Sequence, residues 1–255
     1  MIPSDIRQLA LDLADASATV IRPYFRSPLE IDDKSDASPV TRADREAEMV
    51  MRNLIGQRRP QDGIIGEEFG AENADAEWVW VLDPVDGTKA FITGRPLFVT
   101  LIGLLHHGVP VLGIINQPIA NERWFGIVDE ACWFNGQQVS TSQIKDLTRA
   151  RLGTTGPQYY SESGLSRFNQ LSAHSRFTVY GGDGYQFGLL ANGGMDLVVE
   201  EGLKLHDFAA LAPVVIGAGG VMTDWQGQAL HSKSDGRVLA AANPALHAHA
   251  LTHLV

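Results

Sequence analysis

Residues 78–94, WVWVLDPVDGTKAFITG, constrain the fold more than any other segment of the chain. The first five are apolar β-formers without polar alternation, which predicts a short strand buried in the core. The strand reaches Asp83, and three residues later Asp86 opens an Asp-Gly-Thr turn. A fold that holds this segment must therefore carry two carboxylates from the interior into a glycine turn.

The composition is that of an ordinary globular protein. Of the 255 residues, 44% are hydrophobic and 20% are charged, and the net charge is −10. This acidic balance disfavours binding to nucleic acid or to an anionic membrane. The length predicts one domain over residues 1–255, with an N-terminal half at 1–145 and a C-terminal half at 146–255.

The cysteine content and the N-terminal sequence indicate the cellular compartment of the protein. Cys132 is the single cysteine, so an intramolecular disulfide and a cysteine-based zinc cluster are excluded. The N-terminal segment has acidic residues where a signal peptide needs a basic start. No segment approaches the ~18 uninterrupted apolar residues of a membrane span. We expect a cytoplasmic protein without membrane contact.

Two different patterns divide the chain. Apolar residues at helical spacing predict a first helix that ends near Pro28 and a second that opens at residues 41–56. Strand-like runs parted by turns over residues 97–129 predict a β-meander. From residue 176 strands and helices alternate, which predicts a second sheet with helices on its faces. The expected fold class is therefore α/β in layers.

The Asp-Pro-Val-Asp-Gly-Thr segment has the composition of a metal and phosphate site. Asp83, Asp86 and the Val85 carbonyl form an oxygen-rich set of the kind that Mg²⁺ prefers. Gly87 and Thr88 start a short helix whose free N–H groups favour a phosphate oxygen. The alternative is an Asp-Gly turn that binds nothing.

Spacing excludes two rival interpretations of these letters. An EF-hand calcium loop needs acids at alternate positions, which this segment lacks. Haloacid-dehalogenase phosphatases carry Asp-x-Asp-Gly-Thr, whereas this chain has one residue more between the two acids.

Two further acids stand at element boundaries. Glu67 follows the apolar run of residues 63–66, and Asp207 stands at a predicted helix start. Taken singly, Glu67 is explained as a loop residue and Asp207 as a helix cap. Their occurrence beside the Gly-Thr segment favours a shared site.

The segments IIGEE, LDPVDGTKAFITG and HDFAALAPVVIGAGG, in this order and spacing, resemble the inositol monophosphatase superfamily. The resemblance extends over nearly the whole chain. It implies an α-β-α-β-α sandwich, a homodimer, and a Mg²⁺-dependent, Li⁺-sensitive phosphatase that acts on a small phosphorylated metabolite.

The resemblance also implies roles for individual residues. It implies two or three Mg²⁺ per site, with Mn²⁺ as a substitute, and it places Gly87 and Thr88 against the phosphate. Asp44 would hydrogen-bond Thr88, and the pair would orient the attacking water, with Glu67 also in the catalytic set. Lys34 would lie near the phosphate. The implied metal ligands are Glu67, Asp83, the Val85 carbonyl, Asp86 and Asp207.

The implied mechanism is hydrolysis by metal-activated water without a covalent intermediate. For Asp44 an alternative stays open, since Thr41-x-x-Asp44 also matches a capping box at the start of a helix.

The segment GGDGY, together with TKAFITGRPLF and GLKLHDF, resembles the histidinol-phosphatase branch of the superfamily. Alignment from Asp207 places Glu200 where polyol phosphatases bind a sugar hydroxyl, and Asp183 where they have a small neutral residue. An added carboxylate suits an amine or imidazolium. The alternative for Asp183 is a cap of the following helix.

Other assignments concern a position that departs from the family pattern and single residues outside the motifs. His206 stands where the family has an aromatic residue, and a packing role is favoured over metal binding. Arg95 either reaches the substrate or anchors its loop. The remaining histidines, His106 and His107 among them, show no metal-ligand spacing. The alternatives to histidinol phosphate are inositol 1-phosphate or a related sugar phosphate, and a regulatory protein that binds metal without turnover.

Overall fold

The computed structural model describes residues 2–28, 31–33 and 39–254. These residues form eight α-helices and fifteen strands in three sheets. The helices are α1 Ser4–Ile21, α2 Arg42–Arg58, α3 Thr88–Ile92, α4 Glu162–His174, α5 Tyr185–Ala191, α6 Leu205–Phe208, α7 Leu211–Gly217 and α8 Pro244–Leu251. The strands are β1 Ile31–Asp33, β2 Pro39–Thr41, β3 Gly63–Gly66, β4 Gly70–Glu72, β5 Trp78–Asp86, β6 Val99–His106, β7 Val109–Gln117, β8 Glu122–Ile127, β9 Ala131–Phe134, β10 Gln137–Val139, β11 Arg151–Thr154, β12 Phe177–Tyr180, β13 Leu197–Glu200, β14 Val221–Thr223 and β15 Val238–Ala241.

The larger sheet has eight strands in the order β10-β9-β8-β7-β6-β5-β3-β4. Its pairs are antiparallel except β3 with β5, which is parallel. The strand β5 is buried along almost its whole length, as its apolar sequence predicts. The strands β6 to β8 confirm the predicted meander, which β9 and β10 extend.

The second sheet has five strands in the order β12-β11-β13-β15-β14. The strand β11 is parallel to both of its neighbours, and the pairs of β15 are antiparallel. This sheet confirms the prediction from the alternating pattern of the C-terminal half.

Five layers result from the packing of helices against these sheets. The helices α1 and α2 cover one face of the larger sheet through a core that includes Leu9, Met51 and Trp80. The helices α5 and α7 fill the space between the two sheets. The helices α4 and α8 cover the outer face of the second sheet. The fold is the α-β-α-β-α sandwich that the resemblance implies.

A row of three glycines lets the middle helical layer approach the larger sheet. Gly103, Gly113 and Gly126 stand opposite one another on β6, β7 and β8. A Cβ at Gly113 would lie 1.9 Å from the carbonyl oxygen of Ala210, and one at Gly126 would lie 2.3 Å from the Val214 Cα. The backbone of this helical segment therefore lies directly on the strands, with α6 against β5 and β6.

Two predicted helix boundaries are wrong, and proline explains both. The helix α1 ends at Ile21, and a 3₁₀ turn follows at Arg22–Tyr24, because Pro23 has no N–H to continue the helix. The single helix predicted after Asp207 is split into α6 and α7. Pro213 lacks the N–H that would bond the carbonyl of Ala209, which lies at the break.

No helix in the described ranges is both long enough and apolar enough to cross a membrane.

Candidate active site

The end of β5 and the start of α6 bring three carboxylates together. The pairing of β5 with β6 shifts register between Asp83 and Asp86, so the strand bulges at this point. The Val85 N–H donates to Asp83 Oδ1 at 3.0 Å, which fixes the first carboxylate. The Lys204 N–H donates to Asp207 Oδ2 at 2.6 Å. One oxygen from each of Asp83, Asp86 and Asp207 lies within 4.8 Å of the others.

Glu67 adds a fourth carboxylate to this group. It follows β3, and its backbone N–H donates to the Leu82 carbonyl at 3.1 Å. Because β3 is parallel to β5, the ends of both strands meet at the same edge of the sheet. The side chain of Glu67 lies close enough to hydrogen-bond Asp83.

The pKa values of these groups show how strongly the site disfavours negative charge. Burial, followed by repulsion from neighbouring carboxylates, holds the pKa values of Asp83 and Asp86 well above their usual range. Burial also raises the pKa of Asp207, while the nearby His206 lowers it. Asp83 is only 2% exposed. A divalent cation among these oxygens would compensate the repulsion.

The donor atoms fit a hard cation. The predicted ligands offer carboxylate oxygens and the Val85 carbonyl, which accepts a hydrogen bond from the Thr88 hydroxyl at 3.1 Å. Such an oxygen set suits Mg²⁺ or Mn²⁺ better than a soft metal. His206 lines the same cleft, with its Nε2 3.6 Å from Asp207 Oδ1.

A cleft of about 320 Å³ opens over these groups. Gly87 lies on its wall with a φ of 83°, a conformation that glycine adopts without strain. Gly87 precedes α3, so it and Thr88 present backbone N–H groups that the helix does not use. A Cβ at Gly87 would come within 3.3 Å of the Asp183 carboxylate.

The predicted hydrogen bond between Asp44 and Thr88 is not formed, because the partners of both residues lie elsewhere. Asp44 Oδ2 accepts hydrogen bonds from the N–H and the hydroxyl of Thr41, so the capping box interpretation describes these contacts correctly. The Thr88 hydroxyl gives its one proton to the Val85 carbonyl.

The other oxygen of Asp44 takes no part in these contacts. Asp44 Oδ1 is buried and has no hydrogen-bond partner in the described part of the chain. Burial raises the pKa of Asp44 to about 6, and the Glu67 charge adds to this rise.

Asp183 lies between this cleft and a second pocket. Its backbone is left-handed, with a φ of 41°, and the next residue, Gly184, donates its N–H to Asp86 Oδ2. The N-cap of α5 is Gly184, with no side-chain cap, so Asp183 does not cap that helix. Burial raises the pKa of Asp183 to about 6, although Lys89 and Arg95 act in the opposite direction.

The second pocket, of about 160 Å³, has both apolar and acidic walls. Phe187, Leu203 and Leu211 line it, together with Glu200 at the end of β13. Glu200 Oε1 accepts hydrogen bonds from the Thr155 N–H at 2.7 Å and from Gln186 Nε2 at 2.6 Å. Burial raises the pKa of Glu200 to about 8.

The two pockets share five lining residues, which makes them one continuous site. These are Asp86, Tyr159, Asp183, Gly202 and Asp207.

Lys89 and Tyr159 are among the lining residues that were not predicted from the sequence. The Lys89 Nζ donates to the Tyr159 hydroxyl at 2.9 Å, and both side chains line the cleft. Lys89 follows the Asp-Gly-Thr motif directly, which was an available signal. Tyr159 lies in a segment without any recognisable pattern.

Of the two predicted basic residues, Arg95 and Lys34, the structure describes only Arg95. Arg95 is exposed and lies beside the 181–184 segment, since a Cβ at Gly181 would be 3.4 Å from its Nη2. Lys34 lies outside the described residues.

Comparison with known proteins agrees with this arrangement. Residues 3–255 match the Inositol monophosphatase family. The chain belongs to the inositol monophosphatase family. It is therefore a metal-dependent phosphomonoesterase that acts on small phosphorylated substrates.

Individual relatives of this family cover almost the whole chain. The chain is 44% identical to the "Bifunctional phosphatase IMPL2, chloroplastic" of Arabidopsis thaliana, over 99% of this chain and 78% of that protein. It is 37% identical to a histidinol-phosphatase of Mycobacterium tuberculosis, over 98% of each. A solved inositol monophosphatase from Zymomonas mobilis superposes with a TM-score of 0.89 at 51% identity, over 97% of this chain and 96% of that chain.

Proposed function

We propose that this phosphatase hydrolyses histidinol phosphate to histidinol and phosphate. The observation that carries the proposal is the position of the Asp183 carboxylate, at the boundary between the carboxylate cleft and the second pocket. An ester whose phosphate occupies the cleft would place its organic part against Asp183.

The charge of the organic part is the decisive property. Histidinol phosphate carries an amine and an imidazole, and a carboxylate gains a charge-assisted hydrogen bond from a protonated nitrogen. A neutral cyclitol offers only hydroxyl groups. Relatives named histidinol-phosphatase and relatives named inositol monophosphatase both match the chain, so the names of the relatives do not favour one substrate over the other.

For the metal centre, we propose that Glu67, Asp83, the Val85 carbonyl, Asp86 and Asp207 hold two or three Mg²⁺. Mn²⁺ would substitute, and Li⁺ would inhibit. When bound, the metal lowers the pKa of water and offsets the charge of the phosphate.

The remaining groups of the site bind and orient the reactants. The N–H groups of Gly87 and Thr88 bind phosphate oxygens. Asp44 Oδ1, buried and without a partner among the described residues, accepts a hydrogen bond from the attacking water. Glu67, whose charge raises the pKa of Asp44, belongs to the same catalytic set. The water oxygen attacks phosphorus, the ester P–O bond breaks, and the alcohol leaves with a proton that the water supplied.

The substitution Asp183→Asn tests the substrate assignment. Asparagine keeps the size of the side chain and tolerates the left-handed backbone. A hydrogen bond to a charged group contributes about 1.5–3 kcal/mol, so kcat/KM for histidinol phosphate should fall about 10- to 150-fold. The value for inositol 1-phosphate should change little. Phosphate release from both esters in Mg²⁺ measures the effect.

Asp129→Asn is the matched control, because Asp129 is also left-handed, with a φ of 63°, and lies outside both pockets. It should leave both activities unchanged. Equal losses on the two esters in Asp183→Asn would favour inositol 1-phosphate or a related sugar phosphate as the substrate. Metal binding without turnover of any phosphate ester would favour a regulatory protein instead.

We also propose a homodimer. The edge strand β12 exposes Phe177, Val179 and Tyr180, each about half accessible, and an apolar edge of this kind favours association. The mass of the protein in solution by light scattering tests this proposal.

A further inference from the structure

A second group of side chains of metal-ligating types lies at the opposite end of β5. The side chains of Glu77, His106 and His107 each place one ligand atom within 4.8 Å of the others. His106 Nε2 lies 3.2 Å from Glu77 Oε1, and the imidazole rings of the two histidines are 4.3 Å apart.

The backbone holds these three residues in fixed relative positions. Trp78, which follows Glu77, pairs with His106 across β5 and β6, and the His107 N–H donates to the Glu77 carbonyl at 2.9 Å. His107 and Gly108 form the two-residue turn between β6 and β7, both left-handed, as a type I′ hairpin requires. The His106 ring also stacks on Trp78, with centroids 4.1 Å apart.

The donor set differs from that of the active site. Two imidazole nitrogens and one carboxylate suit Zn²⁺ and its neighbours in the first transition row, whereas Mg²⁺ prefers oxygen alone. Three protein ligands leave a coordination position for water. We propose that Glu77, His106 and His107 form a binding site for a borderline divalent cation such as Zn²⁺.

This site is separate from the catalytic centre. Five residues of β5 lie between Glu77 and Asp83, and the six steps correspond to roughly 20 Å at about 3.3 Å per residue. Neither Glu77 nor the two histidines line the carboxylate cleft. The proposal is therefore independent of the substrate of the enzyme.

Calorimetric titration of the full chain with Zn²⁺, in excess Mg²⁺, tests the proposal. Excess Mg²⁺ keeps Zn²⁺ out of the active site. Under this condition the wild-type protein should still bind one Zn²⁺. His106→Phe keeps an aromatic ring against Trp78, and His107→Asn keeps a residue that favours the turn, so both should fold. Loss of a residue that only supports a metal ligand costs about 10- to 100-fold in metal affinity. Loss of a ligand itself should cost at least as much, so the Zn²⁺ affinity of each variant should fall at least tenfold.

A matched control is available in His174, whose ring lies 4.8 Å from that of His253 on the surface. His174→Phe should bind Zn²⁺ as the wild type does. The electron paramagnetic resonance spectrum of bound Cu²⁺ should show nitrogen ligands that disappear in the His106→Phe, His107→Asn double variant. Unchanged Zn²⁺ affinity in both single variants, or a Cu²⁺ spectrum without nitrogen ligands, would overturn the proposal. Phosphatase activity in Mg²⁺ should be the same in all variants.

Discussion

At the scale of single residues, the hydroxyl groups around Glu200 indicate that this side chain carries a proton. Thr154 Oγ1 lies 2.9 Å from the Tyr160 hydroxyl and 3.3 Å from Glu200 Oε2. Tyr160 already donates to the Val199 carbonyl at 2.7 Å. Thr154 has one proton for two neighbours, so both contacts are satisfied only when Glu200 supplies another. This agrees with a pKa of about 8 for Glu200.

The consequence is a stability that depends on pH. A raised pKa means that Glu200 contributes stability below its ordinary pKa of 4.5 and loses it as the pH rises through about 8. Glu200→Gln cannot ionise, and its amide can donate to Thr154. We therefore compare the melting temperatures of the variant and of wild type in EDTA. The difference, variant minus wild type, should increase by several degrees from pH 5 to pH 9.

Glu162→Gln serves as the control, since Glu162 is exposed at the start of α4. Its melting temperature should follow that of wild type over the same pH range. A difference between Glu200→Gln and wild type that does not change with pH would contradict the proposed protonation.

At the scale of elements, the glycine row on β6, β7 and β8 determines where α6 and α7 lie. Gly113→Ala would put a methyl group 1.9 Å from the Ala210 carbonyl oxygen, which is backbone and cannot rotate away. Overpacking of this kind costs typically about 1–3 kcal/mol. The helical segment should shift, and Asp207 with it. We expect a lower melting temperature and a weaker affinity for Mg²⁺, measured by activity as a function of Mg²⁺ concentration.

Gly56→Ala makes the same chemical change in α2, where a Cβ would meet nothing within 4 Å. It should be neutral or should stabilise the helix by up to about 1 kcal/mol. If Gly113→Ala had the same dependence on Mg²⁺ concentration as wild type, the glycine row would affect the packing of the helices but not the position of Asp207.

Local patterns in the sequence predicted the elements better than their contacts. The apolar run at residues 78–82 and the turns of the meander depend on neighbours along the chain, and both are confirmed. The glycine row requires the register of three strands, which no single segment contains. The break between α6 and α7 follows from Pro213, a signal that was present but outweighed by the apolar spacing around it.

At the scale of the whole molecule, four acids from distant parts of the chain share one buried site. Burial and mutual repulsion raise the pKa values of Asp83, Asp86 and Asp207. The contribution of these groups to stability is therefore present at acidic pH and is lost as the pH rises. A bound cation reverses the loss, because the charged carboxylates are its ligands.

We expect Mg²⁺ to raise the melting temperature more at pH 8 than at pH 5. At a concentration 100 times the dissociation constant, a ligand stabilises the folded state by about 2.7 kcal/mol. Thermal unfolding in Mg²⁺ and in NaCl of the same ionic strength, at both pH values, measures the effect. An equal gain at both pH values would mean that the cation binds outside the carboxylates.

The sequence located the site by motifs, and the gaps in that prediction have physical causes. Glu67, Asp83, Asp86 and Asp207 follow buried strands or open a helix, and the structure brings them to one cleft. The partner predicted for Asp44 was wrong, because a capping box and a catalytic pair use the same two residue types. The group of Glu77, His106 and His107 was missed because Glu77 stands 29 positions before His106, and only the pairing of β5 with β6 brings them together.

The hydrogen bond from the Gly184 N–H to Asp86 joins the turn that carries Asp183 to a proposed ligand of the metal. Exchange of residues 181–184 in order to redirect the enzyme toward another ester would also alter the position of that carboxylate. Selectivity and ion requirement should consequently change together in any lineage or directed-evolution experiment that begins from this chain.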